Sequence, residues 1–120
     1  MNEEQQQEML FSWAAYVPEL KWLFAVPNGQ YRPKPVAIKL KRQGVKAGVS
    51  DIMLPRPNKH YHGLYIEMKY GKNKPSDKQK DFLRYVNDLG YCGVVCYGFE
   101  AAKSVIERYL NNENLEDVKF

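Results

Sequence analysis

VSDIMLPRPNKHYHGLYIEMKYGK, residues 49–72, holds two apolar runs joined by a polar connection, and its reading decides the fold. DIMLP reads as a strand stopped by Pro55 and Pro57, and LYIEMKY as the next strand. Alternate residues of a strand face the same way. Leu64, Ile66 and Met68 therefore take one face, and Tyr65, Glu67 and Lys69 the other. If the two strands pair antiparallel through residues 55–63, Asp51 reaches the face that carries Glu67 and Lys69. Two carboxylates and one ammonium then meet on segments otherwise built of Ile, Met, Leu and Tyr.

Working outward, residues 3 to about 17 read as a helix ended by Pro18, with Glu3, Gln7, Leu10, Ala14 and Val17 along one face. KWLFAVPNG gives a short apolar run that stops at the turn signal Pro27-Asn28-Gly29. KPVAIKLKRQG predicts a short second helix with Val36, Ile38 or Leu40 inward and Gly44 just past its end. Ser76 is a good N-cap for a helix running to Leu89, striped by Phe82, Leu83, Val86 and Leu89 and closed by Gly90. YCGVVCYG is a further strand. Ala102, Val105, Ile106, Tyr109 and Leu110 stripe a last helix, and the polar tail after Asn111 is expected to fray. The order predicts one mixed α/β domain over residues 1–120.

Composition sets the outer bounds. The chain is 44% hydrophobic and 13% aromatic, enough to build a core, and its net charge of +4 is compatible with a polyanionic partner without requiring one. Cys92 and Cys96 occupy same-parity positions of an apolar run, which fits buried free thiols better than a ligand pair. The opening MNEEQQQEML is acidic and polar, unlike a secretory signal, and no apolar run approaches a membrane span. A cytoplasmic protein is expected.

The chemistry rests on the charged trio. Burying such groups unpaired costs several kcal/mol each, so something must compensate. A hard divalent cation does so: Mg²⁺ takes oxygen ligands, usually one or two carboxylates plus waters and phosphate oxygens. A nearby lysine can orient or deprotonate the attacking water, or stabilise the charge of the transition state. Such a set suits phosphodiester hydrolysis. A plain Asp/Glu–Lys salt bridge on the solvated face of a sheet accounts for the same spacing equally well.

Asp51 followed by Glu67-Met68-Lys69 resembles the PD-(D/E)xK nuclease pattern, with Ser50 standing where that pattern has proline. More specifically, FAVPNG, LKRQGVKAGVSDIML, HGLYIEMKYGKNKPSDKQ and LGYCGVVCYGFEAAKSVI together resemble the virus-type replication-repair nuclease (VRR-NUC) family, over about residues 3–110. The resemblance implies a restriction-endonuclease-like α/β core and a Mg²⁺- or Mn²⁺-dependent DNA endonuclease. In it Asp51, Glu67 and the Met68 backbone carbonyl hold the metal, and Lys69 is the catalytic lysine. It further implies an auxiliary acid at the start of the first helix, where Glu3 fits better than Glu4, and a positioning glutamine at Gln79. Standalone members are often encoded by bacteriophages and act as homodimers on branched DNA such as four-way (Holliday) junctions.

Each flanking residue also has an ordinary explanation. Glu3 is favoured by the helix dipole, and Ser76-x-x-Gln79 is a capping box in its own right. Gln7 either bonds the metal shell or packs at the helix edge. Lys46 and Gly48, ahead of Asp51, suit close approach to a phosphate or a simple turn. Lys39, Lys41 and Arg42 form with Lys46 a basic cluster that either holds DNA phosphates or is merely solvated. His60 and His62 fit contact with DNA or solvent better than metal ligation. Tyr31, Tyr61, Tyr70 and Tyr97 offer material for an interface, the core or a DNA-facing surface.

Overall fold

Parity along the two strands of residues 49–72 organises the fold. The structure, a computed structural model, describes residues 1–27 and 31–120. Asn28 and Gly29 of the expected turn lie outside the described residues. Helix α1 (Glu3–Ala14) is followed by a 3₁₀ turn (Pro18–Leu20), strand β1 (Phe24–Ala25) and helix α2 (Lys34–Arg42). Then come β2 (Ile52–Leu54), β3 (Leu64–Lys69), α3 (Asp77–Asp88), β4 (Cys92–Tyr97) and α4 (Phe99–Leu110). The sheet order is β1-β2-β3-β4. β1 and β2 pair antiparallel, as do β2 and β3, whereas β3 and β4 run parallel across the α3 crossover. A mixed sheet flanked by helices is the α/β restriction-endonuclease-like core that the sequence predicts.

The even-numbered side chains of the sheet form the main core. Ile52, Leu54, Leu64, Ile66, Met68, Cys92, Val94 and Cys96 pack with Leu10 and Ala14 of α1 and with Ala102, Val105, Ile106 and Tyr109 of α4. Leu10 is fully buried, so its truncation to Ala should cost ~2–5 kcal/mol. The other face of the sheet receives α3. There Tyr65 meets Phe82 edge-on, with ring centroids 5.1 Å apart. A Cβ on Gly93 would lie 3.1 Å from both Leu83 and Val86, so the absent side chain lets α3 sit close against β4. Cys92 and Cys96 are buried free thiols, both pushed up to about 12 chiefly by burial, which makes them unreactive.

Several expectations shift. α1 ends at Ala14, and Pro18 opens the 3₁₀ turn instead of stopping a longer helix. Its buried face is Gln6, Leu10 and Ala14, while Glu3 and Gln7 lie at the margin of that face, half-buried. α2 buries none of its residues; Val36 and Ile38 are each 45% exposed, and Leu40 alone is half-covered. Leu89 is the exposed C-cap of α3. Tyr61 joins the core, whereas Tyr31, Tyr70 and Tyr97 are exposed.

The tail does not fray. Leu115 is fully buried, and its N–H donates to the Tyr61 hydroxyl at 2.9 Å. That hydroxyl in turn donates to Glu116 at 2.6 Å. Arg108 bridges Glu113 and Asp117, and the Phe120 N–H donates to the Gly93 carbonyl. A polar composition hid one apolar anchor and a set of well-paired charges.

Candidate active site on the α3 face of the sheet

Asp51 stands just before β2, on the odd-numbered face. The β2–β3 register pairs Ile52 with Ile66, so the next backbone group of β3 on that edge, the Met68 N–H, has run past the strand. The Asp51 carboxylate takes the place of a ladder acceptor: its Oδ2 accepts from Met68 N at 2.8 Å. In an extended strand, one residue's N–H and C=O leave on the same side. The Met68 carbonyl therefore points to the Asp51 edge. The Lys69 carbonyl points the other way, where it accepts from Gly98 N. This edge carries the carboxylate and carbonyl expected of the metal-ligand set.

Glu67 is the unusual residue. Only 1% of it is exposed. Its Oε2 accepts from Gln79 Nε2 at 3.1 Å and lies 3.6 Å from Lys69 Nζ. Its Oε1 is buried with no hydrogen-bond donor among the described residues. Burial, and next the neighbouring Asp51 carboxylate, push the Glu67 carboxyl far above the usual carboxylate range, with Lys69 opposing them. Lys69 does not balance the pair, because one ammonium faces two carboxylates.

A salt bridge on a solvated sheet face would leave these groups wet. Here Glu67 and Lys69 are both buried. An oxygen-rich set with a buried, unsatisfied carboxylate oxygen is the chemistry that a hard divalent cation satisfies. The residues fit such an ion. Among the described residues, no group of three His, Cys, Asp or Glu side chains converges on one metal position. Two carboxylates, as Asp51 and Glu67 offer, are a usual protein contribution to a Mg²⁺ site.

Gln79 does two jobs. Its Oε1 accepts from Ser76 N at 2.8 Å, closing the capping box of α3, while its Nε2 reaches Glu67. The cap thereby orients the amide toward the carboxylate. Gly48 serves packing: its φ is +92°, and a Cβ there would lie 2.5 Å from the Lys78 carbonyl oxygen. Only glycine lets the loop before Asp51 rest on the first turn of α3.

Glu3 makes its hydrogen bond elsewhere. It is at the first turn of α1, where its Oε2 accepts from Asn73 in the loop after β3. Lys39, Lys41 and Arg42 are exposed on α2, and Lys46 is exposed in the loop beyond it. His60 and His62 are exposed, away from the carboxylates' hydrogen bonds. Two residues escaped the sequence reading. Gln6, not Gln7, is the buried glutamine of α1, and its Oε1 accepts from Phe99 N at 2.7 Å, tying α1 to the start of α4. The four-residue spacing Gln6-Leu10-Ala14 carried that signal. Ser50, which stands where the nuclease pattern has proline, is fully buried with no hydrogen-bond partner for its hydroxyl among the described residues, a burial the pattern did not signal.

Comparison with known proteins gives a concordant result. The family model described as VRR-NUC domain matches residues 1–100. A solved structure named VRR_NUC domain protein superposes with a TM-score of 0.83 at 29% identity, over 95% of this chain and 92% of its own. No curated protein gives a significant match.

Proposed function

The chain belongs to the VRR-NUC family and has its nuclease-type fold, and from that premise we propose that it is a metal-dependent endonuclease acting on branched DNA. The observation that carries the reading is Glu67: a buried carboxylate with one unsatisfied oxygen, faced by Asp51 and only partly offset by Lys69.

Asp51, Glu67 and the Met68 carbonyl are the groups that would hold the ion, Mg²⁺ or Mn²⁺. When bound, the ion supplies positive charge against the phosphodiester and makes water a better nucleophile near neutral pH. The remaining work falls to the protein. Lys69 Nζ stands beside Glu67 and donates toward the oxygens of the phosphoryl group as charge builds on them. Gln79 fixes the Glu67 carboxylate through its own cap-locked amide. Glu3, held by Asn73, is the auxiliary acid at the edge of the site. Lys39, Lys41, Arg42 and Lys46 carry the flanking phosphates, with Gly48 setting the loop that presents them.

The working unit is a homodimer, because one chain carries one such site and a four-way junction presents two equivalent strands. Exposed aromatic residues next to the edge strand β1, with Trp22 at 70% and Phe24 at 43% exposed, supply apolar material for a two-fold contact. Among the described residues, no helix is long and apolar enough to cross a membrane; action in the cytoplasm of a bacterial host, on a phage-encoded chain, is what the family resemblance implies. The test is cleavage of four-way junction, flap, splayed-arm and fully paired DNA with and without Mg²⁺ or Mn²⁺. Metal-dependent cutting of the junction, lost in Asp51→Asn, is expected. DNA binding without cutting under any metal would leave a binding module on a nuclease fold and refute the proposal.

A further inference from the structure

α2 buries none of its residues, and two adjoining hollows lie beside it. One, of about 460 Å³, is apolar, with Val26, Pro27 and Val49 on its wall. The other, of about 580 Å³, carries Arg32, Lys41, Lys46 and Lys78, with no carboxylate among the described lining residues. Arg32, Leu40, Val45 and Lys46 line both, so the two are lobes of one depression. Arg32 is steadied by donating to the Pro27 carbonyl at 2.6 Å.

We propose that this depression receives a single unstacked nucleotide of the DNA substrate, its base in the apolar lobe and its phosphate on the cationic one. The inference rests on the reading of the chain as a protein that acts on DNA. A bare phosphate would leave the apolar wall of Val26, Pro27 and Val49 unused, and an apolar peptide side chain would leave Arg32, Lys41, Lys46 and Lys78 unused. A nucleotide uses both, and each lobe is within the size range of small-ligand sites.

Position gives the depression its meaning. Val49 is two residues before Asp51, and Val26 N donates to the Asp51 carbonyl at 2.7 Å. Lys78 immediately precedes Gln79, which holds Glu67. The same backbone segments therefore line the depression and carry the carboxylates. A fully paired duplex keeps its bases stacked and cannot fill the apolar lobe. A strand exchange point, bulge or frayed end offers an unpaired nucleotide at least cost. The depression would thus place a nucleotide from a disrupted duplex next to the phosphate to be cut, giving preference for branched over plain DNA without sequence reading.

The experiment is fluorescence anisotropy with the full chain in EDTA, on three duplexes that differ at one central position. One is fully paired, one carries a bulged 2-aminopurine nucleotide, and one carries the same bulge without a base. The base-bearing bulge should bind about tenfold tighter than the abasic one, the scale of one base–side-chain contact, with a change in 2-aminopurine emission. Val45→Trp fills the apolar lobe from an exposed position in the loop after α2. It should erase the difference between the two bulges and change affinity for the paired duplex less than about twofold. Val45→Ser, a smaller change, should reduce the difference in part. Lys78→Ala should lower the salt dependence of bulge binding by about one counterion.

Equal affinity for base-bearing and abasic bulges would overturn the proposal, as would a preference that survives Val45→Trp in a protein with an unchanged far-UV spectrum. Competition by free dAMP at the concentration of the bulged duplex would also overturn it, by making the depression a site for a free nucleotide. Because binding is read without metal, loss of the base preference alongside intact metal-dependent cutting rejects the pocket alone. An intact preference with no cutting of any DNA rejects the nuclease reading alone.

Discussion

Glu67→Gln should make the metal-free protein more stable while ending its cleavage. The Glu67 carboxyl is pushed up to about 9 from its ordinary 4.5, first by burial and then by Asp51. A carboxyl whose folded value is raised binds more protons folded than unfolded between those two values. The stability it allows is therefore greatest in acid and falls as pH rises. At pH 7 the penalty for keeping or ionising this group has an upper bound of about 3 kcal/mol, from ~1.4 kcal/mol per pH unit over the interval above 4.5. Gln keeps the shape and leaves an oxygen for Gln79 Nε2, which removes most of that penalty. It also strips Lys69 of its partner, which returns part of the gain as a poorly compensated buried ammonium. The net expectation is a gain of about 1–2 kcal/mol near pH 8, or roughly 4–8 °C in Tm for a chain of this size. Thermal melts in EDTA from about pH 5 to pH 8.5 should show wild-type stability declining with pH more steeply than that of Glu67→Gln. Mn²⁺ should then raise the wild-type Tm and leave that of the variant nearly unchanged. A Glu67→Gln protein less stable than wild type at pH 8, with the same pH slope, would show that Glu67 is satisfied within the fold and has no need of a cation.

Asp51→Asn keeps an acceptor for Met68 N but loses the ligand charge; cleavage should fall below detection while DNA affinity in EDTA stays within about threefold. Lys69→Ala should lower the single-turnover rate at saturating DNA by about 10²–10³-fold with little change in Mn²⁺ affinity, as followed by quenched-flow cleavage and by metal titration of the Tm. Gln79→Ala removes both the cap and the bond to Glu67, so it should cost about 1–2 kcal/mol in urea melts and slow cleavage as well. Ser76→Ala should cost a similar cap energy with little effect on cleavage. Gly48→Ala forces a Cβ toward the Lys78 carbonyl at a positive φ and should destabilise the fold by about 2 kcal/mol or more. Light scattering should report a dimer, with Trp22→Glu shifting it toward monomer.

What the sequence made legible was whatever obeyed a fixed period or a local chemical rule. The alternation in LYIEMK placed Glu67 and Lys69 together, and the antiparallel β2–β3 register brought Asp51 to the same edge, because strand parity leaves no freedom once the pairing is set. Ser76 and Gln79 were likewise set by a four-residue rule, though only the fold aims Gln79 at Glu67. The failures came where tertiary contact outranks pattern. On α1, Gln7 and Gln6 differ by one position in a run of three glutamines, and period alone does not say which one meets the Phe99 N–H across 93 residues of chain. On α2, Val36 and Ile38 look like an inward face, but no layer of the fold covers them. In the tail, which composition reads as fraying, Leu115 is buried and Arg108 of α4 clamps Glu113 and Asp117, long-range contacts that composition does not encode. Both misread surfaces are informative for the same physical reason. A segment that buries less than its pattern promises has apolar area left for a partner, and α2 is such a segment, beside a depression whose walls are apolar on one side and cationic on the other. A segment that buries more than its composition promises, as the tail does, is spending its charges on the fold and has few left for DNA. On the proposed function, the basic surface that meets DNA is the one around α2 and the first turn of α3, where Lys78 precedes Gln79, the partner of Glu67.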